Sequence, residues 1–214
     1  MPKKLVSRVG VLRIRRLYTE TELHTFADHY ARHSGYSVPL DYLRRSHVFG
    51  GVNGSALTCG FVLGVSAPFR TFIRIPAPDR ARCEMSVDSE DAQEFTCVWL
   101  EPGLRRSWRS YLFWWELLRQ AGKVGKRAVL MGTEVPALRD FYESTRPRPL
   151  YVGPVLVDGI EKTGWVYVHR IDRRYVGIVR MVWYKLRRAA LSSGLPPRTP
   201  APVTGGKERH LHGN

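Results

Sequence analysis

Apolar positions recur along this chain with two periods, and the switches between them divide it into short strands and amphipathic helices. Residues 5–18 are rich in Val, Leu and Ile and read as a first strand. Thr19-Glu-Thr-Glu22 is a capping box, so it opens a helix with Leu23, Phe26, Ala27 and Tyr30 as its stripe, stopping near Gly35. Residues 39–46 give a short second helix. Strands over 47–53 and 56–66 follow, joined by Asn53-Gly54, a strong hairpin signal. Pro68, Pro76 and Pro78 interrupt residues 67–92. Within them 72–75 is expected as a short edge strand and the rest as a loop able to cover a site.

The stretch Glu94-Phe-Thr-Cys-Val-Trp-Leu-Glu101 mixes β-branched and aromatic residues as a strand does, and Pro102-Gly103 reads as a turn. Beyond it Trp108, Tyr111, Leu112, Trp115 and Leu118 recur at helical spacing, the expected buried stripe of a helix running to about Gly122. Phe113, Trp114 and Leu117 lie off that stripe, so cover on more than one side is expected. Residues 126–132 form an apolar strand, and Pro136 suits the first turn of a helix over 136–143. A basic turn over 145–149 leads to antiparallel strands over 150–157 and 165–171, around Asp158-Gly159. A last helix is expected over 172–190. Tyr175, Ile178, Val179, Val182, Trp183 and Leu186 fall on one side, and Arg173, Arg174, Arg180, Lys185, Arg187 and Arg188 on the other. From Ser192 onward Pro, Gly, Thr and Ser dominate, as in a disordered tail. The expected organisation is a folded body over 1–171, a basic helix over 172–191 and a tail over 192–214.

Composition narrows the classes. A chain of 214 residues with 43% hydrophobic and 11% aromatic content has ample material for a core. Its net charge of +15, from 34 Lys+Arg against 19 Asp+Glu, points to nucleic acid, a phosphorylated ligand or an anionic membrane surface. Cys59, Cys83 and Cys97 are widely spaced with no C-x-x-C, which argues against a disulfide framework or a zinc site and fits a reducing cytoplasm. Cys97, inside a strand, reads as a small core residue rather than a nucleophile. His210 and His212, in the tail, are not expected to bind metal. The first residues lack a signal-peptide pattern, and no run approaches a membrane span. The chain has no internal repeat, Walker A loop, HExxH or G-x-S-x-G, so a P-loop ATPase, a zinc enzyme or a serine hydrolase finds no support.

Arg105, Arg106 and Arg109, with Ser107 and Ser110 among them, crowd the start of the central helix. Cations fit poorly at the positive end of a helix dipole. A bound phosphate relieves that mismatch and meets free N–H groups there. Glu101 and water on a solvated face relieve it too, and the sequence leaves both readings open.

The element order β-α-α-β-β-(β)-β-α-β-α-β-β, closed by a basic helix, resembles the GNAT acyltransferase superfamily over about residues 5–170. Two segments carry the resemblance. Val98-Trp-Leu-Glu-Pro-Gly-Leu-Arg-Arg-Ser-Trp-Arg-Ser110 occupies the place of the family's fourth strand and its pyrophosphate loop, Q/R-x-x-G-x-G/A. Arg105 matches the first position, and Trp108 and Ser110 stand where the family has glycines. Ala137-Leu-Arg-Asp-Phe-Tyr142 looks like the family's A-x-x-F-Y segment with one extra residue. The resemblance implies an α/β (α+β) fold, a mixed, mostly antiparallel central sheet flanked by helices. It implies that Arg105, Arg106, Ser107, Trp108, Arg109 and Ser110 bind the donor's phosphates, and that Tyr142 is the general acid to a departing thiolate. Glu94 and Glu101 are the candidate bases. Seven apart on a strand, they face opposite sides, and Glu94, on the same face as Thr96, is preferred.

Glycine lets a backbone approach a phosphate without a Cβ between them. Its absence here, with the basic terminal helix, makes aminoacyl-tRNA the leading expected donor and a small-molecule amine the acceptor. Arg105, Arg106 and Arg109 would then hold phosphates near the tRNA 3′ end, Trp108 would stack on a base, and the 172–190 helix would follow the acceptor stem. Acyl-coenzyme A is the alternative co-substrate. Glu94-Phe-Thr-Cys-Val-Trp-Leu100, with His29-Tyr-Ala-Arg-His-Ser34, also resembles phage Mom-type proteins, which modify adenine in DNA. The non-enzyme alternative is a nucleic-acid or membrane-surface binding module on a transferase scaffold.

Overall fold

The capping box forms as its residues imply. In the computed structural model, which describes residues 12–192 apart from 55, 106 and 158, Thr19 Oγ1 accepts from the Glu22 amide at 3.2 Å. The Glu22 carboxylate accepts in turn from the Tyr18 and Thr19 amides at 2.9 and 3.1 Å. Helix α1 (Glu20–Ser34) therefore starts with its orphan donors satisfied, and it ends at Gly35 in the left-handed region, φ 79°. Strand β1 (Arg13–Leu17) precedes it and α2 (Leu40–Arg44) follows. The expected hairpin joins β2 (His47–Asn53) to β3 (Ala56–Gly64). The outer part of the expected first strand and the tail from 193 lie outside the described residues.

Residues 67–92 depart from expectation. In place of an edge strand and a loop they form two short helices, α3 (Arg70–Ile73) and α4 (Ala77–Met85). Pro76 and Pro78, which look like breaks, sit at the start of α4, where a missing N–H costs nothing. Phe69, Phe72 and Ile75, three apart, share one face and pack with Cys83 on Ala92, Leu130 and Val166.

Next come β4 (Ala92–Leu100), α5 (Pro102–Arg105), α6 (Arg109–Val124), β5 (Ala128–Thr133), α7 (Pro136–Glu143), β6 (Arg148–Val157) and β7 (Ile160–Arg170). A single 3-10 turn then leads into α8 (Arg174–Ser192). One seven-stranded sheet results, in the order β1-β2-β3-β4-β5-β7-β6, antiparallel throughout except between β4 and β5. This is the mixed, mostly antiparallel α+β architecture that was expected. Helices α1 to α4 cover one face, where Phe26 and Tyr30 meet Val62, Cys97 and Trp99. Helices α6, α7 and α8 cover the other, where Phe113, Leu117, Phe141 and Met181 meet Phe61, Phe95 and Met131.

Two helices present faces other than those expected. On α6 the buried residues are Ser110, Phe113, Trp114, Leu117 and Ala121. Of the expected stripe, Trp108, Leu112 and Trp115 are exposed, Trp108 by 63%, while Tyr111 and Leu118 are half-buried. Aromatic residues run nearly all round this helix, so its own pattern does not choose a face, and packing against Phe61 does. On α8, Val179 and Trp183 are 69% and 68% exposed and Leu186 is exposed too, while Gly177 and Met181 turn inward. Arg180, expected on the outer basic side, is half-buried and donates to the Thr145 carbonyl at 3.4 Å. Arg187 and Arg188 are exposed. The side chains of Arg173, Arg174 and Lys185 lie outside the described residues. Among those described, no helix is long and apolar enough to cross a membrane.

Candidate active site

The site begins where two parallel strands part. Ala92 to Phe95 of β4 pair with Ala128 to Met131 of β5, and beyond Phe95 the pairing stops. The cause lies on β4. Gly60 faces Trp99 and Val62 faces Thr96, so Phe61 alone opposes both Cys97 and Val98. That extra residue is a β-bulge, with Cys97 at φ 50°, a conformation uncommon outside glycine. The bulge turns β4 away from β5 and opens a cleft of about 600 Å³ through the sheet. Tyr30, His33, Tyr36, Arg70 and Arg74 line it from the α1–α3 side. Arg105, Ser110, Trp114, Tyr142, Tyr184 and Arg188 line it from the other.

Tyr142 reaches the cleft because α7 packs Phe141 on Trp114, with ring centroids 4.6 Å apart. The residue is 3% exposed, and burial pushes its phenol above the usual value. Its hydroxyl has no hydrogen-bond partner among the described residues, and it keeps its proton at neutral pH.

Glu94 is placed differently. It is fully buried beneath the cleft rather than in its wall. Its carboxylate accepts from Tyr42 Oη at 2.8 Å, the Arg70 amide at 2.9 Å, the Thr71 amide at 2.8 Å and Thr71 Oγ1 at 2.8 Å. Tyr42 Oη also lies 2.6 Å from Thr96 Oγ1. With both oxygens used, Glu94 ties α2 and α3 to the sheet, and the geometry favours a positioning role over that of a base. Gly64 makes room for this knot, since a Cβ there would lie 2.6 Å from Glu94 Oε1. Glu101 also lies outside the cleft wall. The one carboxylate lining it, among the described residues, is Glu134, which follows β5 and is ion-paired with Arg74.

The expected phosphate loop reaches the cleft in part. Arg105 lines it and donates from Nε to the Leu100 carbonyl at 2.8 Å, and Ser110 lines it too. The loop's own donors are largely engaged. The Ser107, Ser110 and Tyr111 amides donate to the carbonyls of Leu104, Ser107 and Trp108, and both serine hydroxyls do likewise. Trp108 and Arg109 do not border the cleft, and Arg106 lies outside the described residues. Arg188 does border it, donating to Tyr184 Oη at 3.2 Å.

At the cleft's rim His33 stacks on Trp99 at 4.9 Å, and His29 stacks on the same ring at 5.3 Å. Burial holds the His29 imidazole below its usual pKa, and its Nδ1 and Trp99 Nε1 are buried without hydrogen-bond partners. The Cys97 thiol is pushed up to about 11 by burial, which fits the expected core residue and not a thiolate nucleophile. Among the described residues no group of His, Cys, Asp and Glu is placed to hold a metal ion. Sequence reasoning missed Tyr36, Arg70, Arg74 and Glu134. The Arg70-x-x-x-Arg74 spacing was the available signal, hidden by reading that segment as strand and loop.

No family model matches the chain, and no curated protein matches it in sequence. Its likeness to known proteins lies in structure. FeeM, an N-acyl amino acid synthase from uncultured soil microbes, superposes with a TM-score of 0.60 at 13% identity, over 78% of this chain and 93% of FeeM. A GNAT-family protein from Desulfovibrio desulfuricans gives 0.53 at 11% identity, over 75% of this chain and 99% of the other. YncA from Salmonella typhimurium, solved with its cofactor acetyl-CoA, gives 0.52 at 11% identity, over 76% and 95%. At these identities the likeness is one of fold alone: the chain has the fold of the GNAT acyltransferases.

Proposed function

We propose that this chain is an N-acyltransferase that moves an acyl group from a coenzyme A thioester to an amine. The observation that carries the proposal is Tyr142, buried at the parting of β4 and β5 with a protonated hydroxyl that no described residue engages. A neutral amine nitrogen attacks the thioester carbonyl, the C–N bond forms, and the C–S bond breaks with its electron pair leaving on sulfur. Tyr142 donates its hydroxyl proton to that sulfur and is reprotonated from solvent. The amine's proton passes through water to Glu134. Past Phe95 the edge of β4 that faces β5 has no ladder partner, and that edge is left for the extended arm of the donor.

The donor's phosphates fall to Arg105 and Arg188, a clasp of side chains more than of amides, because the Ser107, Ser110 and Tyr111 amides are used within the loop. Coenzyme A is favoured over aminoacyl-tRNA by α8, which turns Arg180 inward and shows solvent an apolar face instead of an uninterrupted basic one. The names of the fold relatives lean the same way, towards N-acyl transfer and acetyl-CoA.

The test is calorimetric titration with acyl-coenzyme A thioesters of increasing chain length, followed by thiol release in the presence of amines. Saturable binding and amide formation are expected. Absence of any thioester binding, together with retention of aminoacyl-tRNA, would replace this donor with the other.

A further inference from the structure

One end of the cleft carries a cluster of charge of which the transfer chemistry uses only Glu134. Arg70 opens α3 and Arg74 caps its C-terminal end, and both line the cleft. The Arg74 guanidinium sits 4.8 Å from the centre of the Tyr36 ring and is ion-paired with Glu134. Lys162 of β7 donates from Nζ to Tyr36 Oη at 3.1 Å, and so joins the same ring. Arg70 donates from Nη2 to the Ser37 carbonyl at 2.8 Å, the one hydrogen bond of its guanidinium among the described residues. The other donors of that planar fork are left for something else. Three cations here meet two carboxylates, Glu134 and the buried Glu94, and the nearby Arg139 is paired with Asp140. The surplus is a single positive charge. A monoanion neutralises it, whereas a phosphate monoester dianion overshoots.

We infer that the acceptor is an amino acid or another amine bearing one free carboxylate, and that Arg70 binds the carboxylate. The inference rests on the acyl-transfer reading and names the acceptor that it leaves open. A guanidinium fork matches a carboxylate in two parallel hydrogen bonds, which fixes orientation as well as charge. Glu94 sets the fork's position by gripping the amides of Arg70 and Thr71 at the start of α3. The Arg74–Glu134 pair stands beside it, so an acceptor anchored at Arg70 brings its amine towards the proposed base. The opposite end of the cleft, with Arg105 and Arg188, is left to the donor.

The experiment compares amino acids with their primary amides, their decarboxylated amines and O-phosphoethanolamine as acceptors, in the wild type, Arg70→Gln and Arg70→Lys. Amino acids should be used at least roughly tenfold more efficiently than their amides. R70Q should erase that preference by raising KM for the amino acids, and R70K should restore part of it. Thermal unfolding of both variants keeps a folding defect apart from a loss of recognition. In parallel, binding of an N-acyl amino acid is compared calorimetrically with binding of its N-acyl amide, which needs no turnover. Equal use and equal binding of the neutral compounds, or a preference for the phosphate, overturns the inference and leaves the acyl-transfer reading standing. Carboxylate-dependent binding that R70Q abolishes, with no transfer to any amine, upholds the site and removes the reaction.

Discussion

Tyr42 donates its hydroxyl to Glu94 across 2.8 Å, and the same carboxylate holds the amides of Arg70 and Thr71. A residue on α2 is thereby linked through one buried carboxylate to the start of α3. Glu94→Gln keeps the shape but places an NH2 group against donors. The expected loss of stability is on the order of 2–3 kcal/mol, read from urea unfolding. The proposed transfer activity should fall with the folded fraction, and the pH–rate profile of the folded protein should keep its shape. A profile that loses its acidic limb would return Glu94 to the role of base.

Tyr142→Phe removes one oxygen from the cleft wall and no hydrogen bond to a described residue. Stability should hold within about 1 kcal/mol while kcat falls by about 10²-fold or more. Burial raises the phenol above its ordinary value, so the acid form persists to higher pH. The wild-type rate should therefore show no alkaline decline from this group below about pH 10. Steady-state rates across pH check both statements.

On α6, neighbouring residues should differ sharply. Phe113 is fully buried against Phe61, and Phe113→Ala should cost about 3–5 kcal/mol. Leu112, one position away, is exposed, and Leu112→Ala should cost less than about 1 kcal/mol. Chemical denaturation of the two variants distinguishes this face from the one that the Trp108–Leu112–Trp115 spacing suggests.

The start of α1 gives a dependence on acid. The amides of Tyr18 and Thr19, with Arg15, depress the Glu22 carboxyl to about 2. A carboxyl depressed in the folded state stabilises it fully above its unfolded value, about 4.3, and that contribution is lost as pH falls towards 2. Glu22→Gln should thus lower the melting temperature at pH 7 and matter progressively less between pH 4 and pH 2. Melting curves of both proteins across that range are the measurement.

Features coded within a few residues were legible in the sequence. The capping box at Thr19, the turn at Gly54 and the proline start at Pro136 are local, and each appears where it was read. Tyr142 was legible through resemblance, and the structure puts it in the cleft. The faces of α6 and α8 were not legible, because both helices carry apolar residues on several sides and their partners lie far away in sequence. Glu94 was preferred to Glu101 as a base because it shares a strand face with Thr96, and its partners on α2 and α3 come together only in the fold. Arg70 and Arg74 were hidden by prolines that begin a helix rather than end one.

The bulge at Cys97 has a mechanical consequence for the sheet. Strands β1 to β4 and strands β5 to β7 form two half-sheets, whose ladder, among the described residues, joins them only between residues 92–95 and 128–131. Past that seam the two halves face each other across the cleft, so a ligand seated there bridges them where no ladder does. Such a ligand acts as a staple. Hydrogen exchange should find the amides of Glu94, Phe95, Leu130 and Met131 opening as one unit, and slowing together when the cleft is filled.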